Sequence, residues 1–334
     1  MPCDQSWKAT MEVALMKLAM IGTGDIAGYH AQGIRDHEHA SLVALANWRE
    51  DSLGRLAARF AVPSTTTRWQ DIAEDPDIDG VVVATPNALH AEQAVACLRA
   101  GKHVLVEKPM ATSTSEAEEM VAAARSSDRW LMVAHCFRFH PDVQRMRARI
   151  AGGEFGTVVR TRSYGVHAGS GPSGWFTDRR LAGGGALIDM GVHAIDTTRY
   201  LLGGPLPTRV CAVVGTRYGS YDVDDDGVIL ITWSNGASSV VDFGWWQPHL
   251  GGLLGDNEIY GTKGYARIWP FTETPTGYDH WPQSMYSAQI AEFVNSIEAG
   301  RRPSPGGEDG LIVMQIVEAA YRSGVAAAAG GEPK

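Results

Sequence analysis

Residues 16–30 read MKLAMIGTGDIAGYH, and this stretch decides the fold of the first half of the chain. Apolar residues 18–21 predict a buried β-strand, and Gly22 and Gly24 follow at once, with Ala27 as a third small residue. Glycine allows a tight turn, and the free amides of the next helix N-terminus attract a pyrophosphate. The turn is predicted to bind a dinucleotide, although a glycine turn that binds nothing would look similar. The predicted contact residues are Gly22, Thr23, Gly24, Asp25 and Ile26.

Short apolar runs separated by amphipathic stretches continue through the first half. The runs lie at 42–46, 81–84, 104–106 and 131–134. Runs without polar alternation are typical of strands that are covered on both faces. We predict an α/β Rossmann domain at residues 16–136, with a doubly wound parallel sheet, preceded by an extension at residues 1–15.

After about Pro141 the pattern changes to longer strand-like runs with few helices. Asn235 and Gly236 separate two of these runs and indicate a tight hairpin with positive φ. Two helical stretches, at about 284–299 and 309–323, close the chain. We predict that residues 137–334 form a substrate-binding and oligomerisation α+β domain with a large, mostly antiparallel open sheet.

Composition limits the possible partners and location. The 334 residues carry a net charge of −9 without a basic block, so nucleic acid and anionic membranes are not expected as partners. Four cysteines are scattered without paired spacing, which is typical of reduced thiols and not of a zinc site. No apolar run approaches the ~20 residues of a membrane span. A cytoplasmic protein is the expectation.

The end of the second strand is where a dinucleotide-binding protein reads the adenosine ribose. An acidic residue there bonds the 2′-hydroxyl, whereas a neutral residue with a nearby Arg admits a 2′-phosphate. Asn47 stands at this position, followed by Trp48 and Arg49. The pattern favours NADP over NAD, but Asp51 leaves NAD open.

Two later strands end in polar residues at the carboxyl edge, where ligands of such sheets bind. The residues after the first of these strands can also be explained without a ligand, as the end of a strand followed by a capped helix. The second of these strands is followed by a lysine. Partial burial would lower the pKa of this lysine, although a surface ion pair is the alternative. The predicted cofactor-side residues are Thr85, Pro86, Asn87 and His90 after the first, and Glu107, Lys108 and Pro109 after the second.

A glycine run, Gly183–Gly185, leads into an apolar helix that should reach about Leu202. Asp189 and His193 stand four residues apart in it and share one face of an α-helix. Such a pair is either catalytic or a buried hydrogen-bonded support. No cluster of further ligands accompanies it, so no metal site is predicted.

The segments GTGDIAGYH, ATPNALH, EKPMA and GGGALIDMGVHAIDTTRYLLG, in this order and spacing, resemble the Gfo/Idh/MocA family of nicotinamide-dependent sugar and polyol oxidoreductases. The resemblance runs from Met16 to about Gly324. It implies that Lys108 lies between nicotinamide and substrate, that the Lys108–Pro109 bond is often cis, and that Asp189 and His193 are the substrate-side acid/base pair. It also implies a homodimer or homotetramer.

These groups suggest the chemistry of a secondary alcohol. His193 is the natural base for the hydroxyl proton, Lys108 stabilises the reacting oxygen, and Asp189 holds a neighbouring hydroxyl. A non-catalytic NADP-binding sensor or scaffold remains the alternative, as do an inositol dehydrogenase, a glycoside dehydrogenase and a sugar reductase within the family. Further predicted sugar contacts are Arg138, His167 and Trp175, with His135, Trp245 and Gln247 as weaker candidates.

Overall fold

A six-stranded parallel sheet forms the first half of the molecule. The computed structural model describes residues 15–167, 169–247, 253–272 and 282–329, so the predicted extension lies outside the described residues except for Leu15. The strands are β1 (Met16–Ile21), β2 (Ala40–Ala46), β3 (Ser64–Thr66), β4 (Gly80–Val83), β5 (His103–Val106) and β6 (Leu131–Val133). Their order is β3-β2-β1-β4-β5-β6, the doubly wound order of dinucleotide-binding folds.

Helices follow most of these strands and cover the sheet. They are α1 (Asp25–Arg35), α2 (Glu50–Phe60), α3 (Trp69–Glu74), α4 (His90–Arg99) and α5 (Thr114–Ser127). All four residues of β4 are buried, as expected for a strand between two helical layers. The sequence missed β3, because three residues of an edge strand give no apolar run.

The second half is built on a mixed sheet. Its elements are α6 (Pro141–Ala151), β7 (Val158–Val166), α7 (Arg179–Ala182), α8 (Val192–Leu201), β8 (Pro207–Gly215), β9 (Asp226–Trp233), β10 (Ser238–Gly244), β11 (Leu253–Gly261) and β12 (Tyr265–Thr272). The strand order is β12-β11-β7-β10-β9-β8, and each pair is antiparallel except β7 with β10. The predicted fold class is confirmed.

Two C-terminal helices, α9 (Gln283–Glu298) and α10 (Gly307–Ala329), return toward the first half. Phe293 and Ile290 of α9 share a buried cluster with Leu18 of β1. The predicted second domain thus includes a helix that packs on the first sheet. Within the described residues, no helix combines the length and the apolar character needed to cross a membrane.

The hairpin at Asn235 and Gly236 forms between β9 and β10. Gly236 has φ +85°, and its N–H donates to the carbonyl oxygen of Trp233 at 3.0 Å. The Asn235 side chain accepts from the Ala237 N–H at 3.1 Å. Glycine therefore takes the positive φ, and asparagine contributes a side-chain bond to the turn.

Candidate active site

The glycine turn after β1 is packed on one side and open on the other. Gly22 has φ +104°, and a Cβ atom there would lie 2.2 Å from the carbonyl oxygen of Ala84. A Cβ atom at Gly24, which precedes α1, would meet no described atom within 4 Å. A ligand can therefore approach the first turn of α1, which begins with Asp25 and Ile26. Free amides at a helix N-terminus favour an anionic group, so this cradle fits a pyrophosphate.

The end of β2 lies beside this cradle. The Asn47 side-chain amide donates to the hydroxyls of Thr23 and Ser52, each at 2.7 Å. The next residue, Trp48, is 78% exposed, and the Arg49 guanidinium carbon lies 5.9 Å from its ring centre. An amide, an indole and a guanidinium thus lie at the end of β2, where the adenosine ribose of a dinucleotide would bind.

The residues after β4 and β5 support one another. The ring nitrogens of buried His90 lie 2.8 Å from the carbonyl oxygens of Thr85 and Pro109. Pro86 precedes a 3₁₀ turn, Asn87–Leu89, and buried Asn87 donates from its side chain to a carbonyl oxygen of α7 at 2.8 Å. His90 therefore joins the two strand-end loops, and Asn87 joins the two halves of the chain. Cofactor contact by these residues stays a prediction.

Lys108 connects the end of β5 to the glycine-led helix. Its ammonium donates to the Asp189 carboxylate at 2.9 Å and to the Asp189 carbonyl oxygen at 3.0 Å. The Lys108–Pro109 peptide bond is cis. Behind it, the Glu107 carboxylate accepts from the Lys108 N–H at 3.0 Å and lies 2.7 Å from the ring of His30. Two segments about eighty residues apart therefore meet at one ion pair.

Gly185, the last glycine before the helix, packs against Asp224. A Cβ atom at Gly185 would lie 1.8 Å from the Asp224 carbonyl oxygen, so only glycine fits there. The Asp224 carboxylate accepts from the N–H groups of Gly185 and Leu187 at 2.8 Å and from the Tyr321 hydroxyl at 2.7 Å. Asp224 thus fixes the start of the helix that carries Asp189.

Asp189 lies in a π-helical turn, Leu187–Gly191, that continues into α8. The sequence predicted a regular α-helix here. The Val192 N–H instead donates to the carbonyl oxygen five residues back. Single π turns inside α-helices occur often at functional sites, and this one presents the Asp189 carbonyl oxygen to Lys108.

The other carboxylate oxygen of Asp189 faces the second sheet. The indole N–H of Trp245 donates to it at 3.0 Å, and His167 Nε2 lies 3.6 Å from it. All three side chains are buried. The structure thus places the predicted residue His167 and the weaker candidate Trp245 directly beside Asp189.

His193 follows Asp189 on the same helix and is 1% exposed. Its ring stacks on Phe137, with ring centroids 4.4 Å apart and planes at 16°. Phe137 belongs to the turn after β6, so the imidazole is held by the first half of the chain. Burial, reinforced by the Lys108 charge, keeps the pKa of His193 well below 6.5. His193 is therefore neutral at neutral pH.

The charges of Lys108 and Asp189 stabilise each other. Burial alone would lower the pKa of Lys108, but the Asp189 and Glu107 carboxylates outweigh it and raise that pKa. Burial would raise the pKa of Asp189, but the Lys108 charge and His167 hold it far below its usual value. The pKa of Glu107 is likewise low despite burial, because of His30 and Lys108. Lys108 is thus a cation and Asp189 an anion.

Two further residues that the sequence assigned to the sugar contact other side chains. Arg138 is buried and makes a two-pronged ion pair with Asp196, at 2.6 and 2.8 Å, with Asp309 at 3.4 Å. These contacts favour a structural role over the predicted sugar contact. Trp175 stacks on Phe176 with centroids 3.9 Å apart, and no described contact joins it to Asp189.

Sequence reasoning missed His30 and Phe137. His30 interrupts the buried stripe of Ala27, Ala31 and Ile34 on α1, and a histidine in an apolar stripe signals a buried polar partner. Phe137 carries no comparable signal, because any aromatic residue after a strand looks like ordinary core.

The order of the first sheet and its open glycine turn define a dinucleotide-binding Rossmann protein with a second α+β half. Residues 16–135 match the model of the oxidoreductase family with an NAD-binding Rossmann fold, Gfo/Idh/MocA, and residues 143–267 match a C-terminal domain of that family. The chain belongs to the Gfo/Idh/MocA family.

Relatives cover nearly the whole chain. A 1,5-anhydro-D-fructose reductase of Ensifer adhaerens is 30% identical, over 87% of this chain and 91% of its own. The structure of GenD2 from gentamicin A biosynthesis in complex with NAD aligns with a TM-score of 0.84 and 31% identity, covering 94% of this chain and 95% of that one. Levoglucosan dehydrogenase in complex with NADH and levoglucosan aligns with a TM-score of 0.82 and 25% identity, covering 93% and 97%.

Proposed function

We propose that this enzyme moves a hydride between a secondary alcohol of a sugar, glycoside or cyclic polyol and nicotinamide C4, with NADP preferred over NAD. The observation that carries the proposal is the ion pair of Lys108 and Asp189, with neutral His193 one turn further along the same helix. These three groups provide a cation, an anion and a neutral base in one buried site.

The cofactor would lie along the carboxyl edge of the first sheet. The open side of the glycine turn, Gly22–Ile26, would hold the pyrophosphate, and the end of β2 would hold the adenosine. The loops that begin at Thr85 and Glu107 would flank the nicotinamide. When bound, the nicotinamide supplies hydride acceptor and donor chemistry at C4. The protein supplies alignment and proton handling.

Lys108 would act on the reacting oxygen. An ammonium group has three N–H donors, and Asp189 accepts two of them. The third would donate to the substrate oxygen and stabilise the negative charge that develops as the hydroxyl proton leaves. The raised pKa of Lys108 keeps the group a donor across the working pH range.

His193 would accept the hydroxyl proton during oxidation and return it during reduction. Its low pKa leaves the imidazole neutral, so it is ready to accept. The stacked Phe137 ring fixes the plane of the imidazole. Asp189, oriented by Trp245, would hold the neighbouring hydroxyl and keep the sugar in register.

The preference for NADP rests on the end of β2. Asn47 provides no carboxylate to bond a 2′-hydroxyl, and exposed Arg49 provides a cation for a 2′-phosphate. The Trp48 indole offers a flat surface for the adenine.

A homodimer or homotetramer is also proposed. Apolar side chains of the second sheet, among them Val213, Leu230 and Tyr265, are about half exposed, which is typical of a face covered by another copy. A monomeric mass by light scattering at micromolar concentration would contradict it.

A substrate screen tests the proposed activity. Protein is mixed with NADP+ or NAD+ and a panel of sugars, glycosides and polyols, and the absorbance of the reduced nicotinamide is followed. Turnover with at least one such alcohol, faster at equal concentration with NADP+, is expected. Dinucleotide binding without turnover in either direction, using the ketone products as well, would favour a sensor or scaffold.

A further inference from the structure

Trp246 has a backbone conformation that bulky residues rarely adopt. Its φ is +61°, immediately after β10 and Trp245. A left-handed conformation costs free energy for any residue with a Cβ atom, and it persists only where the surrounding structure holds it. Trp246 is 37% exposed, and its ring packs against Gly171, where an added Cβ atom would lie 2.4 Å from it. A strained residue next to Trp245, which bonds Asp189, is a candidate for a functional position.

A chain of aromatic contacts joins Trp246 to the catalytic carboxylate. The Trp246 indole N–H donates to the Tyr221 hydroxyl at 3.2 Å. The Tyr221 ring meets the Trp245 ring edge-on, with centroids 6.0 Å apart and planes at 78°. The Trp245 indole N–H donates to Asp189 at 3.0 Å. Counted from Asp189, Tyr221 and Trp246 therefore lie beyond Trp245, and Trp246 is the partly exposed end of this chain of contacts.

Both outer rings are held rigidly. The Tyr221 hydroxyl donates to the Asp225 carboxylate at 3.0 Å. Asp225 is fully buried and accepts three further bonds from backbone N–H groups at 217–219. The Trp246 N–H donates to the Ser170 carbonyl oxygen at 2.6 Å. Rings already fixed in place bind a ligand with little loss of conformational entropy.

The polar atoms of the two outer rings are used within the protein. The indole N–H of Trp246 and the hydroxyl of Tyr221 bond each other, and the hydroxyl also bonds Asp225. Part of the Trp246 ring packs on Gly171, and the part that stays exposed is flat and apolar, so it suits a ring and not a charged or strongly hydrated group.

We propose that Trp246 and Tyr221 form an outer subsite for a second ring of the substrate, namely the aglycone or the next sugar of a glycoside. This inference rests on the proposed function. Lys108 and Asp189 hold the ring that reacts, and the outer subsite contacts the ring attached to it. Glycosides with a flat apolar aglycone are therefore preferred over methyl glycosides and single-ring polyols.

Steady-state kinetics with matched substrates tests the subsite. A methyl glycoside and an aryl glycoside of the sugar that the enzyme oxidises are compared in the wild type, Trp246→Ala and Trp246→Phe. In the wild type kcat/KM is expected to be about tenfold higher for the aryl glycoside, the size of one aromatic stacking contact. Trp246→Ala should lose this ratio, and Trp246→Phe, which keeps a ring, should retain most of it.

Circular dichroism and thermal unfolding of Trp246→Ala control for folding, and the ratio of the two kcat/KM values within each variant reports on the subsite independently of its overall activity. Equal kcat/KM for the two glycosides in the wild type would overturn the subsite and leave the proposed function standing. An unchanged ratio in Trp246→Ala would also overturn it. Absence of turnover with every sugar, glycoside and polyol would refute the proposed function and the subsite together.

Discussion

The Lys108 ammonium donates to both the carboxylate and the backbone carbonyl oxygen of Asp189, at 2.9 and 3.0 Å. The first residue closes a parallel strand, and the second lies in a π-helical turn fixed by Asp224. This contact unites the two halves of the chain at the candidate active site. Mutation of these residues can test what the contact contributes to catalysis.

Replacing Lys108 with Ala is expected to lower kcat by about 10²–10³-fold, because the developing charge on the substrate oxygen loses its donor. Cofactor affinity, measured by fluorescence of the bound reduced nicotinamide, should change little. Lys17→Ala on β1 removes an exposed lysine and serves as the matched control. Turnover that survives in Lys108→Ala would show that another group stabilises this oxygen.

The pH dependence of oxidation follows from His193. Its pKa is lowered from 6.5 by burial and by the Lys108 charge, so the base takes up a proton only below that pH. The acidic limb of kcat/KM for alcohol oxidation should therefore lie below pH 6.5, with a plateau through neutrality. The His193→Gln variant, which keeps Lys108, should lose most of the activity at the pH values of the plateau. An acidic limb at or above pH 7 would contradict this assignment.

Buried histidines also predict acid instability. The pKa values of His90, His135 and His193 are all lowered, chiefly by burial, so the unfolded chain binds more protons than the folded one below 6.5. Their stabilising effect is present above pH 6.5 and is lost as the pH falls toward their folded pKa values. Urea unfolding should give a falling free energy of unfolding between pH 6.5 and 5. A constant value over this window would contradict the lowered pKa values.

Cofactor choice should depend on Arg49. Arg49→Ala is expected to weaken NADPH binding by about tenfold, since it removes one charge-assisted contact to the 2′-phosphate, and to leave NADH binding unchanged. Arg55→Ala is the control, because Arg55 is also exposed and also pairs with Asp51. Titration of both nucleotides by fluorescence checks the result. Equal loss for NADPH and NADH, or a wild type that favours NADH, would argue against the NADP preference.

The sequence predicted most strands of the first sheet for a clear physical reason. A strand such as Gly80–Val83 is buried on both faces, so its apolar run stands out. The edge strand Ser64–Thr66 has no such run and was missed. The π turn at Asp189 was also unpredictable, because the apolar pattern of an α-helix tolerates one extra residue in a turn.

The site was predicted in part. Lys108, Asp189 and His193 were singled out by the resemblance of their segments to the family, and the structure joins Lys108 and Asp189 in one ion pair while their roles stay predictions. Arg138 was assigned to the sugar because it follows the last strand of the first sheet and could face the cleft between the two domains, whereas its partners Asp196 and Asp309 lie far away in sequence. Only the fold shows that these carboxylates converge on its guanidinium. A sequence reveals which groups need partners and leaves the choice of partner to tertiary structure.

A structural ion pair and a substrate contact predict different effects of replacing Arg138. Its side chain is 5% exposed and its partner Asp196 is 1% exposed, so Arg138→Met removes the guanidinium and leaves this buried carboxylate with only the His135 ring, 3.8 Å away. The free energy of unfolding, measured by urea denaturation, should fall by about 3–5 kcal/mol. Arg145→Ala, which breaks an exposed pair on α6, should change it by less than about 1 kcal/mol. If Arg138→Met instead keeps the stability and raises only the KM for the sugar, Arg138 contacts the substrate after all.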